Sequence, residues 1–232
     1  MLRGAFNLLT LKEKIFWLGS LALLLLTGFF LPEKNFLATL ASLIGVTSIL
    51  LCAKGHLGGP FLMIIFSLLY AFFSWRLSYW GEVVTYLGMT LPLSVWALVT
   101  WFKNPNPKKR TEVLAHRMQK REWLLSLLLT IVVTALFFWL LKFLKTPFLP
   151  LATLSVATSF SAAWLTGKRS AFFNLAYAAN DVVLIFLWAF TAGQKEGFTP
   201  LLINFLIFLV NDVYSYICWQ KREAVTGEGR GA

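Results

Sequence analysis

From Ala171 to Ala192 the chain reads AFFNLAYAANDVVLIFLWAFTA. About twenty apolar residues suffice to cross the hydrocarbon core of a bilayer as a helix. This run nevertheless holds Asn174, Tyr177, Asn180 and Asp181. The chain has only two aspartates, and the second, Asp212, sits in the same Asn-Asp dipeptide inside another apolar run. A carboxylate at membrane depth costs at least ~2.5 kcal/mol on insertion scales, so it faces a bundle interior or a polar cavity rather than lipid. Two such helices can line one polar cavity in an otherwise apolar protein.

Composition supports the membrane reading. Hydrophobic residues make up 58% of the 232 residues and charged residues 13%, against about 25% charged in a soluble domain. The net charge of +11 would fit nucleic acid or an acidic partner. In a polytopic membrane protein it is better explained by basic residues gathered in cytoplasmic loops. Cys52 and Cys218 lie in apolar runs with no CxxC spacing, and His56 and His116 lie in loops. No metal, cofactor or catalytic motif is present, so no catalytic residue, cofactor or metal is expected.

Residues 1–14 carry Arg3, Lys12 and Lys14 and suit a short amphipathic segment on the membrane surface. Eight apolar runs follow, at about 15–31, 36–52, 59–75, 83–102, 123–144, 147–167, 171–192 and 200–219. The first could also be read as a signal peptide, but no small-residue cleavage site follows it. Pro92 lies inside the fourth run and predicts a kink. Lys103 to Glu122 is the long polar connection, with seven basic residues. It is read as a cytoplasmic loop that sets topology, in preference to a lipid-headgroup or nucleic-acid site. With eight spans and the N-terminus inside, sixteen Lys and Arg fall on the inner side and five on the outer. Both termini are therefore expected in the cytoplasm of a multi-pass bacterial inner-membrane protein.

Runs two to four echo runs six to eight. Phe36 and Phe148 open similar stretches that end at basic turns, Lys54-Gly55 and Gly167-Lys168. Tyr70 and Tyr177 fall in the second helices, and aromatic pairs five apart close the third: Trp96 with Trp101, and Tyr214 with Trp219. The fold class expected is an all-α membrane protein of eight transmembrane helices. It comprises an extra N-terminal helix plus a 3+1+3 parallel repeat, an arrangement that in transporters places the site between the halves. The expected divisions are 1–35, 36–103, 104–147, 148–222 and 223–232.

At 100° per residue Asn174, Tyr177, Asp181 and Trp188 share one stripe of the seventh helix, with Asn180 roughly 100° away and placed to bond a neighbouring helix. Asn204 and Asn211 share a stripe of the eighth with Ser215, and Asp212 lies to one side. Tyr70, Thr85, Thr90 and Trp96 complete the candidate site from the first triplet. Aromatic faces beside amides and carboxylates suit a flat, polar ligand. Inter-helix glue is the competing role of the asparagines, and a proton relay that of the carboxylates.

Three segments resemble the PnuC family of vitamin transporters: YAANDVVLIFLW in the seventh run, FLIFLVNDVYSYICWQKRE in the eighth and YWGEVVTYLGMTLPLSVWALVTWFKNP in the fourth. The resemblance covers about residues 36 to 222. It implies two three-helix bundles joined by a linker helix, like the plant SWEET sugar transporters. It also implies facilitated diffusion of nicotinamide riboside without ion coupling, the cargo being trapped by a cytosolic kinase. Other members carry thiamine, riboflavin or deoxynucleosides. Many nicotinamide riboside carriers have a Trp-x-x-Trp pair at the start of the pocket helix, where this chain has Asn174 and Tyr177. A substrate role for Asn211 carries over. The expected partners are a small vitamin or nucleoside, the lipid bilayer, that kinase and, as an open option, further copies of the chain; nucleic acid is not among them. Two other classes stay in view: an intramembrane enzyme using Asp181 and Asp212 as a carboxylate pair, and a sensor or assembly subunit.

Overall fold

The computed structural model describes residues 9–30, 36–76, 80–107, 109–192 and 199–228. Among them eight helices follow in order: α1 (Leu11–Phe30), α2 (Phe36–Ala53), α3 (Gly58–Arg76), α4 (Trp80–Lys103), α5 (Lys120–Phe143), α6 (Leu149–Gly167), α7 (Phe172–Ala192) and α8 (Thr199–Glu228). Five stretches are long and apolar enough to cross a membrane: α3, α4, α5, α6 and Leu202–Glu223 of α8. Thr39–Ala53 and Phe172–Leu187 are shorter apolar stretches within α2 and α7.

Six helices close a ring in which α2 packs on α3, α3 on α4, α4 on α6, α6 on α7, α7 on α8, and α8 back on α2. The linker α5 packs outside the ring on α6, and α1 packs outside it on α2 and α8. The outer face of α5 exposes Leu124, Leu128, Ile131, Leu136 and Trp139, as a helix facing lipid must. At the other side of the ring α1 is tied down by polar contacts. Glu13 pairs with Lys54 and accepts from the Tyr214 hydroxyl, and Trp17 Nε1 donates to Thr47 Oγ1 at 3.1 Å.

The turns at one end of the ring match bond for bond. After α2, His56 N bonds Leu51 O and Gly55 N bonds Cys52 O; after α6, Ser170 N bonds Leu165 O and Arg169 N bonds Thr166 O. Each is the double bond of a Schellman cap, which needs a left-handed residue just past the helix. Gly55 (φ +63°) and Arg169 (φ +61°) supply it. Glycine meets that requirement without a Cβ penalty; at Arg169 the surrounding bonds hold it. His56 Nδ1 then accepts from Gly58 N at the start of α3. Burial holds the imidazole below its ordinary pKa, which keeps that nitrogen free to accept.

The connection from 104 to 119 is not an open loop. Pro105–Asn106 and Lys109–Val113 form a short antiparallel hairpin, β1 and β2, so the fold is not wholly helical. The segment lies across both matched turns: Val113 N donates to Gly55 O (2.8 Å) and His116 N to Arg169 O (3.0 Å). Glu112 is buried and pairs with Arg222 of α8 at 3.2 Å. The strap thus joins two ends of the ring, while Lys103, Lys109, Arg110, Arg117, Lys120 and Arg121 remain exposed on its outer side and at the helix ends beside it. Basic content alone disguised it as loop, since Val113 and Ala115, which plug the interface, are too few to make a pattern.

Pro92 of α4 follows a widened turn. The turn before it, Tyr86–Thr90, is π-helical, and Leu91 N reaches back to Tyr86 O. Proline has no N–H for the carbonyl four residues earlier, and a wider turn is one way to accommodate that break. Single π turns occur frequently at functional sites, and this one lies against the cavity described next.

Candidate substrate cavity

The ring encloses a cavity of about 370 Å³. Its rim, away from the strap, is formed by Trp80 and Gly81 of α4 and by residues 144–148 between α5 and α6. Its floor is Tyr177 and Asp212, beyond which the space narrows to a void of about 20 Å³ bordered by Cys52, Ser94, Thr166 and Phe173. Ligand pockets of roughly 300–1,000 Å³, mostly apolar with a few placed polar groups, hold small molecules.

Of the residues expected from sequence, Thr85, Thr90, Tyr177, Asp181 and Asp212 line this cavity. The side chain of Trp188 lies outside the described residues. Asn174 is fully buried one turn nearer the strap, where it accepts from Ser215 of α8 and donates to Ala171 O (3.1 Å). The α7 stripe is thus continuous, but the cavity occupies only its upper part, where Leu184 and Leu187 continue the wall. On α8 the cavity face is Phe205, Phe208 and Asp212. Asn204 and Asn211 fall about one residue's rotation from it, are buried, and lie outside the lining. Asn204 Oδ1 and both amide atoms of Asn211 have no hydrogen-bond partner among the described residues. Tyr70 is buried behind Tyr86, with ring centroids 4.3 Å apart. Trp96 stacks on Trp164 at 4.9 Å in the contact between α4 and α6.

Several lining residues escaped the sequence reading. Glu82 lies one turn before Thr85, and Tyr86 one turn after Glu82, so helical spacing points from Thr85 to Glu82 and from Glu82 to Tyr86. Phe66 of α3 sits edge-on to Tyr86 (5.9 Å) and to Phe208 (6.4 Å), making an aromatic wall from three helices. Asn180 both lines the cavity and bonds a neighbour. Its Oδ1 accepts from Ser155 (3.2 Å), Thr158 (2.9 Å) and Ser159 (2.9 Å), all on α6. With the oxygen held, the Asn180 amide N–H₂ is the group left for a ligand. Asn180→Leu is expected to lower cargo affinity about tenfold, since a lost ligand bond is worth roughly 1–1.5 kcal/mol. Calorimetry on the purified protein reads that directly; unchanged affinity would remove Asn180 from the site.

Toward the strap the path is shut by a knot of fully buried aromatics. Trp101 and Trp219 lie 5.5 Å apart, with Phe173 edge-on to Trp219 at 5.0 Å. Trp101 Nε1 of α4 donates to Thr166 O at the end of α6 (2.8 Å), and Trp219 Nε1 of α8 to Cys52 O at the end of α2 (2.9 Å). Each indole therefore caps the first helix of the other triplet, on equivalent carbonyls.

Three comparisons bear on this architecture. Residues 35–221 match the family model described as nicotinamide mononucleotide transporter. The PnuC nicotinamide riboside transporter of Neisseria mucosa is 27% identical over 198 residues, covering 83% of this chain and 75% of that one. The protein of the same description from Haemophilus influenzae is 23% identical over 209 residues, covering 90% and 89%. A crystal structure of the vitamin B3 transporter PnuC superposes with a TM-score of 0.80 at 25% identity, covering 92% of both chains. These relatives are transporters, not enzymes. A ring of apolar helices around a polar, aromatic-walled cavity, matched along nearly its whole length, makes this chain a multi-pass membrane transporter belonging to the PnuC family.

Proposed function

We propose that this chain carries nicotinamide riboside across the bacterial cytoplasmic membrane by alternating access, without ion coupling. The observation that carries the reading is the cavity, closed toward the strap by Trp101 and Trp219 and bounded at the opposite end by a separate rim. Nicotinamide riboside offers a flat ring for Tyr177, Tyr86 and Phe66, and hydroxyls and an amide for Asn180, Thr85 and Thr90. The family description names the mononucleotide and the relatives the riboside. Among the described residues the lining holds Glu82, Asp181 and Asp212 against a single basic group, Lys145, at the rim. That balance repels a phosphate and favours the riboside.

The matched turns after α2 and α6 and the reciprocal indole bonds support reading α2–α4 and α6–α8 as parallel repeats, with α1 an added span and α5 the linker. The exposed basic residues on and beside the strap support placing that end, and both termini, in the cytoplasm. A cytosolic kinase would then trap the cargo. The second reading is the same cavity carrying thiamine, riboflavin or a deoxynucleoside, because Tyr177 stands where many riboside carriers have the second tryptophan.

The test is uptake of labelled nicotinamide riboside into liposomes holding the purified protein. The inside concentration should rise to the outside one and stop, whether or not a protonophore or sodium ionophore is present. Accumulation above the outside level would sink the uncoupled mechanism. Thiamine entering in preference to the riboside would replace the cargo.

A further inference from the structure

Asp181 of α7 and Asp212 of α8 are 3% and 2% exposed and border the same cavity. Their carboxyl groups neighbour each other between α7 and α8, and in each the Oδ2 atom is buried with no hydrogen-bond partner among the described residues. Among the described residues neither is in an ion pair, and the one basic side chain in the lining, Lys145, is exposed at the rim. Two neighbouring buried acids hold at least one proton between them, and any charge left on the pair lies under an aromatic wall. Such a charge in a low-dielectric cavity is costly unless something positive meets it.

We propose that Asp181 and Asp212 recognise the positive charge of the cargo's ring, so that the site selects heteroaromatic cations over neutral rings of the same shape. The inference rests on the transport reading above and narrows it. Nicotinamide riboside carries a pyridinium and thiamine a thiazolium, whereas riboflavin and deoxynucleosides are uncharged. A carboxylate attracts a delocalised ring charge without needing a directed donor. The rings of Tyr177 and Tyr86 add the attraction of their faces for a cation.

The test compares nicotinamide riboside with its 1,4-dihydro form, which keeps the sugar and the carboxamide but loses the ring charge. Thiamine, riboflavin and deoxyuridine complete the panel, and binding is measured by calorimetry on the purified full chain. The wild type should bind the riboside cation at least tenfold more tightly than the dihydro form. Asp181→Asn, Asp212→Asn and the double variant should erase most of that ratio while leaving affinity for the dihydro form within a few-fold. Equal binding of the two forms by the wild type overturns the proposal, and needs no variant to fold. So does a folded double variant that keeps the preference. Tight binding of thiamine but not of the riboside supports the charge selection and overturns the riboside as cargo. Preference for riboflavin or deoxyuridine overturns the charge selection and leaves a carrier of neutral cargo. Binding of nothing in the panel overturns both.

Discussion

Trp219→Ala should open Cys52 to thiol reagents applied from the strap side, whereas Trp219→Phe should leave it protected. The Trp219 side chain is 0% exposed and packs on Trp101 and Phe173. Truncating a buried tryptophan to alanine costs roughly 3–5 kcal/mol and leaves a cavity. That cavity would join the small void bordered by Cys52 and Phe173 and breach the barrier. Phenylalanine keeps most of the volume and loses the indole N–H. The orphaned group, Cys52 O, still accepts from Gly55 N, so the lost bond should cost only about 1 kcal/mol. The measurement is alkylation of Cys52 in a Cys218→Ser background, because Cys218 is the second thiol and is partly accessible. Trp101→Ala should behave in the same way through Thr166. Alkylation of Cys52 at the wild-type rate in both alanine variants, with the protein folded, would show that the indoles are not the barrier. In transport the expected companion result is loss of retention: preloaded liposomes should leak cargo faster with Trp219→Ala than with Trp219→Phe.

Much of this arrangement was legible in the residues alone, and the parts that were not have physical reasons. Helix positions follow from apolar runs and from breakers such as Pro150 and Gly55, and the expected runs match the described helices within a few residues except at the end of α8, which continues nine residues past the expected 219 to Glu228. The presence of a buried acidic pair follows from the cost of burying Asp181 and Asp212. Depth and azimuth are harder. Asn174 and Tyr177 are three residues apart on one stripe, and periodicity cannot say that the cavity ends between them. Asn211 and Asp212 are adjacent, and only the packing of α8 decides which one faces the cavity. On α4 the π turn at Tyr86–Thr90 shifts the register by about one residue, so a face drawn with uniform helical spacing drifts across it. The strap was missed because hairpins this short leave almost no alternation to read.

Gly167→Ala should be among the most damaging single methyl additions available in this chain. A Cβ there would stand 1.9 Å from Cζ3 and 2.1 Å from Cε3 of Trp96. The ring cannot step aside, because its other face stacks on Trp164 at 4.9 Å. Trp164 is itself held by its Nε1 bond to Ser126 Oγ of α5 (2.9 Å). The methyl must therefore push α6 away from α4, along one of the two seams where the triplets meet. Overpacking of a tight core costs about 1–3 kcal/mol and occasionally more, and unyielding partners on both sides put this case at the upper end. The expected result is a sharp fall in monodisperse protein and in melting temperature. Trp96→Leu in the same chain should restore most of the loss by making room, a coupling opposite in sign to simple addition. Gly45, on the other seam between α2 and α8, provides the internal contrast. Its added Cβ would meet Phe208 Cζ at 2.8 Å, the far tip of a side chain that borders the cavity and has space to turn into. Gly45→Ala should therefore be tolerated better in stability while narrowing the cavity and weakening cargo binding. Equal melting temperatures for the two alanine variants would mean that the α4–α6 seam is no tighter than the α2–α8 seam, and that Trp96 has freedom its stacking denies it.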